Sequence, residues 1–285
     1  FRSVISNITS EELFAFIKFS IIALLILPFL PNSDYGPEKL LNPFEIGSII
    51  VIVSLLNFIG YFLVKFVGAK RGILFTAVLG GLISSTAVSW SYATRSKESP
   101  ELSSKYAAGI SIASAIMFPR LVLLADIFNA KILWYLALPF AILGLICLIV
   151  ALTLIKKDSS KMNTEIKLGN PLNILNAIGF GVLFVVISYA VFYANRFFGE
   201  SGLYYSALIA GLADTDAITI SMAKFSLEGE KLRLAANVIL AATLSNMLVK
   251  LAITFFKGSR ITGKLVGLCY GSVVLIGVVY ILITG

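Results

Sequence analysis

Nine apolar runs, each of about twenty residues and set apart by short polar clusters, organise this chain: 13–30, 43–67, 72–94, 104–128, 131–155, 171–195, 201–223, 232–256 and 263–284. A hydrocarbon layer about 30 Å thick is spanned by about 20 helical residues. The runs are continuous and do not alternate in ten-residue segments, so they read as helices and not as the strands of a membrane barrel. The expected fold is therefore an all-α polytopic membrane protein of about nine transmembrane helices. Of the residues, 58% are hydrophobic and 13% charged, against about 25% charged in soluble proteins. A soluble globular enzyme is excluded, and 285 residues leave no room for a separate soluble domain beside the spans. The net charge of +8 reflects cations flanking spans and meeting headgroups. The expected partner is thus the lipid bilayer and not nucleic acid. Lys and Arg divide almost evenly between the two sides, so the positive-inside rule assigns no orientation.

An internal repeat is the most informative pattern. Gly72–Ala93 (GILFTAVLGGLISSTAVSWSYA) aligns without gaps on Gly202–Ala223 (GLYYSALIAGLADTDAITISMA) at an offset of 130, with seven identities in 22 pairs. The same offset sets Met117 opposite Met247 and Arg120 opposite Lys250, and an offset of 128 sets Asn42-Pro43 opposite Asn170-Pro171. The expected organisation is an extra N-terminal helix (1–42), a first four-helix repeat (43–155), a polar connection (156–169) and a second four-helix repeat (170–285). Four crossings return the chain to its starting side, which predicts two parallel repeats about an axis along the membrane normal.

Four ionisable residues lie well inside spans: Asp214, Asp216, Arg120 and Lys250. Each costs roughly 2.5–3.5 kcal/mol at a helix centre, so each is expected to face the bundle interior with a partner. Asp214-Thr215-Asp216 supplies hard oxygens suited to Mg²⁺, Ca²⁺, Mn²⁺, Na⁺ or H⁺. Residues two apart on an intact helix point about 200° apart, so Asp214 and Asp216 can share a metal ion only where the helix is interrupted. Gly211 and the matching Gly80-Gly81 are the expected sites of such breaks. The repeat partner of the acidic triplet, Ser84-Ser85-Thr86, would face it and complete an all-oxygen site; the competing reading is that these hydroxyls bond back to carbonyls four residues earlier. Arg120 and Lys250 are expected either to pair with the aspartates or to gate the site. Among Asn57, Asn195, Asn237, Asn246, Ser111, Ser114, Ser188 and Ser245, read as interhelical hydrogen-bond groups, only Asn246 is placed at the site, one turn before Lys250.

The chain has no histidine, which excludes His-based catalysis, zinc-protease motifs and haem ligation through His. Cys147 and Cys269 lie in apolar runs and read as packing residues. No Walker loop, GxSxG elbow or CxxC occurs, so neither nucleotide-driven transport nor covalent catalysis is supported, and no enzyme activity is expected. No cofactor is expected beyond a bound divalent cation. The chain opens at Phe1 without a signal-peptide pattern, and residues upstream of it are expected.

The motifs GAKRGILFTAVLGGLISSTAVSWSYATRSKE (68–98), AAGISIASAIMFPR (107–120), GLADTDAITISMA (211–223) and EELFAFIKFSIIALLILPFLP (11–31) resemble the multi-span membrane domain of unknown function found C-terminal to the MgtC/SapB domain in bacterial and archaeal proteins. That resemblance implies an upstream MgtC-like segment, a prokaryotic plasma-membrane location and a link to magnesium. The leading expectation is a transporter or channel for a hard cation, Mg²⁺ or another divalent, with H⁺ coupling through an aspartate. A homodimer is a further expectation. One alternative is a non-transporting regulatory or assembly subunit, which predicts no sealed cavity around Asp216. Another is an anion or small organic-acid transporter using Arg120 and Lys250.

Overall fold

The computed structural model describes residues 9–63, 65, 72–156, 174–228 and 231–284. Among them are nine α-helices: α1 (Ser10–Ser20), α2 (Pro43–Leu63), α3 (Gly72–Glu98), α4 (Ser103–Phe128), α5 (Leu133–Lys156), α6 (Ile174–Ala213), α7 (Thr215–Phe225), α8 (Leu232–Lys257) and α9 (Arg260–Thr284). α1 runs on through a wider π-helical stretch, Ile21–Ile26, and a tight turn, Leu27–Phe29. No strand forms among the described residues. Eight segments are long and apolar enough to cross a membrane, so the chain is an all-α polytopic membrane protein. The connection at 156–169 and the Asn170-Pro171 pair lie almost wholly outside the described residues.

α4 and α8 form the centre. Two thirds (67%) of the most apolar window of each is buried, against 28% for α2, α5 and α9 and 11% for the N-terminal segment. The two central helices run in opposite directions. Ser103 at the start of α4 hydrogen-bonds Ser259 just beyond the end of α8 (2.7 Å). At the other end, Asn129 beyond α4 donates to Ser226 (2.8 Å), next to Phe225, whose ring lies under the Lys231 ammonium at the start of α8.

Two of the nine expected crossings do not cross. Tyr92 donates from its hydroxyl to the Ile73 carbonyl at 2.7 Å, although 19 residues of straight helix would separate them by about 28 Å. α3 therefore doubles back, and its one non-helical residue is Ser84 (φ −160°, ψ 105°). The arms 72–83 and 85–98 enter and leave at the face where α4 begins, and an arm of twelve residues reaches about 18 Å, just over half the hydrocarbon depth.

The second half repeats this device from the opposite face. At Gly199 (φ 60°) the chain turns in a conformation that suits glycine. Gly202 then packs on the Ala194 carbonyl, which a straight helix would hold about 12 Å away. The arm from 200 descends to Asp214 and α7 climbs back. Arg196 pairs with Glu38 just before the base of one arm, and Lys224 pairs with Glu45 at the base of the other. Both acids flank the start of α2, so both bases share one face.

The chain thus makes seven crossings and two re-entrant helical hairpins among the described residues. This corrects the parallel arrangement expected from four crossings per repeat. With a hairpin in place of the second span, each matched segment has three crossings, and three is odd. Matched helices accordingly run in opposite directions: α4 against α8, and α5 against α9, which ends with Thr284 bonded to Asn237 (3.2 Å) near the start of α8. Re-entrant backbone is tolerated at this depth only where protein surrounds it or it lines a cavity.

Candidate functional site

The tips of the hairpins meet beside the middle of α4. Ser84 and Asp214, the positions matched by the repeat, are the two extended residues that interrupt the arms (Asp214 φ −157°, ψ 142°). Each caps the helix that follows it. The Ser84 hydroxyl accepts from the Ala87 N–H at 3.2 Å, and the Asp214 carboxylate accepts from the Asp216 N–H at 2.5 Å. Such a side-chain acceptor satisfies one of the free donors at a helix N-terminus.

The expected glycines do not form the breaks, which fall three residues later. Gly81 and Gly211 are instead points of close backbone approach. A Cβ on Gly81 would lie 2.8 Å from the Ala113 Cα, and one on Gly211 3.0 Å from the Ala242 Cα. Each hairpin is thereby held against the helix that follows it, α3 on α4 and the second arm of α6 on α8.

A cavity of about 210 Å³ opens between the tips, lined by Ser84, Ser85, Thr86, Asp214, Thr215, Asp216, Arg120 and Asn246. The structure thus brings eight of the nine sequence-selected residues to one place. Asn57, read in the sequence as an interhelical hydrogen-bond group, lines the cavity too, with Val53, Ile83, Met117, Phe180 and Ala213 forming the apolar wall. A lone amide inside the second apolar run was the signal for Asn57.

Arg120 spans both tips. Its Nη2 pairs with the Asp216 carboxylate, and its Nη1 donates to the Ile83 carbonyl at 3.3 Å, at the end of the first arm of α3. Its Nε is buried without a hydrogen bond. Asn246 donates to the Gly211 carbonyl at 3.0 Å, near the end of the matching arm.

Ser84, Ser85, Thr86 and Thr215 do not bond back along their helices, as Ser89 does to the Ser85 carbonyl. Ser85 faces the Met117 Sδ at 3.5 Å. The Thr215 hydroxyl has no hydrogen bond among the described residues, although its residue is only 6% exposed and borders the cavity.

Lys250 stands apart from the cavity. It is fully buried (0% exposed) but lies outside the cavity lining, and its hydrogen bond is to the Met117 Sδ at 2.9 Å. The reason lies in the repeat. Arg120 finds Asp216, whereas the position matched to Asp216 is Thr86, so the carboxylate that Lys250 would meet is absent. Cys147 and Cys269 are free and buried, with sulfurs 3.8 Å apart where α5 packs on α9. Among the described residues no group of three or more His, Cys, Asp or Glu converges as a metal site.

Residues 51–258 match the family described as "Domain of unknown function (DUF4010)". The match encloses every residue of the cavity. An "Uncharacterized protein" of Aquifex aeolicus (strain VF5) is 31% identical over 193 residues, covering 66% of this chain and 83% of that relative. No solved structure matches.

Proposed function

This chain belongs to the DUF4010 family, a domain of unknown function, and on that footing we propose that it is a secondary transporter for a hard cation and not an enzyme. The observation that carries the reading is the meeting of two hairpin tips, entering from opposite faces, at a polar cavity that contains Asp214. Discontinuous helices meeting near mid-membrane between inverted halves are the recurring way transporters build a substrate site. Asp214 and Asp216 supply charge, while Thr215, Ser84, Ser85, Thr86, Asn57 and Asn246 supply neutral polar groups. Loading Asp214 alternately with a proton and a cation would couple the flux to H⁺.

The regulatory-subunit reading draws less support, because a cavity borders Asp216. The anion reading needs free cations at the site; Arg120 is paired and Lys250 lies behind Met117. The upstream MgtC-like segment, the homodimer, the plasma-membrane location and the link to magnesium rest on the sequence resemblance and belong to the same proposal.

The test is cation flux into liposomes containing purified protein, under gradients of Na⁺, K⁺, Mg²⁺, Mn²⁺ or Ca²⁺. Wild type is expected to carry at least one of these ions, and Asp214→Asn to lower that flux at least tenfold. Flux unchanged in an Asp214→Asn/Asp216→Asn variant would remove the proposal.

A further inference from the structure

We propose that the cavity takes a singly charged cation and that Arg120 sets this valence, an inference that rests on the cation-transport reading above. Three ionisable groups line the cavity: Asp214, Asp216 and Arg120. The guanidinium is already paired with Asp216. Asp214 has no cationic partner within salt-bridge distance among the described residues, and its second role is only to cap α7. With both carboxylates ionised, the lining carries one unit of negative charge in excess. One positive charge on a guest balances it. A second would stand uncompensated in a low-dielectric interior, where an unpaired charge is costly.

Lys250 sharpens the count. It lies directly behind the Met117 wall, so any charge it bears makes a doubly charged guest costlier still. The donor set agrees. Among the described residues no three His, Cys, Asp or Glu side chains converge, whereas a divalent ion in an all-protein site gathers several carboxylates. The independent sign that a guest belongs here is Thr215, a residue only 6% exposed that borders the cavity and whose hydroxyl has no hydrogen bond among the described residues. Arg120 thus acts as a tethered cation occupying the second carboxylate. Removing it would leave two carboxylates facing one cavity, a set suited to a divalent ion.

Purified wild type, Arg120→Gln and Arg120→Lys are compared in lipid nanodiscs by equilibrium binding of Na⁺, K⁺ and Mn²⁺, each competed against the others. Wild type and Arg120→Lys are expected to bind Na⁺ or K⁺ at least tenfold more tightly than Mn²⁺. Arg120→Gln is expected to reverse the order, with Mn²⁺ affinity rising at least tenfold over wild type. Wild type that prefers Mn²⁺, or Arg120→Gln that keeps the wild-type order, overturns the valence inference while leaving cation transport standing. Wild type that binds none of the three ions overturns the valence inference, and if it also carries none of the five ions in the flux assay the transport reading falls with it. If Arg120→Gln does not fold, Asp216→Asn serves instead. It leaves Asp214 and Arg120 balanced, so Na⁺ or K⁺ binding should fall at least tenfold, and unchanged binding overturns the inference.

Discussion

Ser84 and Asp214, 130 residues apart in the chain, are the extended breaks at the tips of two hairpins that enter from opposite faces, and each caps the helix that follows it. A serine stands in one tip and an aspartate in the other, so the two halves share a backbone device and differ in charge. Which faces the hairpins enter from can be read directly.

In a background with Cys147 and Cys269 replaced by alanine, Glu98→Cys at the base of the first hairpin and Leu227→Cys beyond the base of the second are both solvent-accessible positions. An impermeant thiol reagent is expected to label them from opposite sides of sealed vesicles. Labelling from the same side would restore the parallel arrangement.

The Tyr92–Ile73 hydrogen bond ties the two arms of α3 across the hairpin with both residues buried. Tyr92→Phe removes the side-chain hydrogen bond to a buried helical carbonyl, a net loss of about 0.5–1.5 kcal/mol. Thermal unfolding in detergent should show the corresponding fall in Tm. A Tm equal to wild type would mean the hydrogen bond contributes nothing to holding the arms together.

Arg120 and Asp216 are energetically coupled. Arg120→Met strands a buried carboxylate, and breaking one side of such a pair costs about 3–5 kcal/mol. The double variant Arg120→Met/Asp216→Asn should recover most of that loss, a coupling that a double-mutant cycle on unfolding midpoints measures. Additive losses would show that the two side chains do not act as a pair.

Lys250 predicts the opposite sign. Its amine is buried with a thioether as its hydrogen-bond partner, and a buried polar group without good compensation costs roughly 1–3 kcal/mol. Lys250→Met, close in length and apolar, should therefore raise the unfolding midpoint. A lowered midpoint would assign Lys250 a stabilising partner.

Much of this was legible in the residues. The apolar runs gave the all-α membrane fold, and intramembrane charge together with the 130-residue repeat picked out Ser84–Thr86, Asp214–Asp216, Arg120 and Asn246, which do line one cavity. The hairpins were not legible, because hydropathy measures length and apolarity but not direction. A run of 26 residues folded back at Ser84 has the same profile as one that crosses. That single ambiguity also inverted the expected orientation, since replacing one crossing by a hairpin changes the parity of every later segment. The place of Lys250 was not legible for a related reason: alignment matched it to Arg120 and Thr86 to Asp216, but that Arg120 takes Asp216 as its partner is visible only in the fold.

The seams at Gly81 on Ala113 and Gly211 on Ala242 leave no free play between a hairpin and its following helix. Neither tip can peel away alone like a flap. Opening the cavity would then carry each hairpin with its following helix, α3 with α4 and the tip arm with α8. α2 and the first arm of α6 reach the cavity through the side chains of Val53, Asn57 and Phe180.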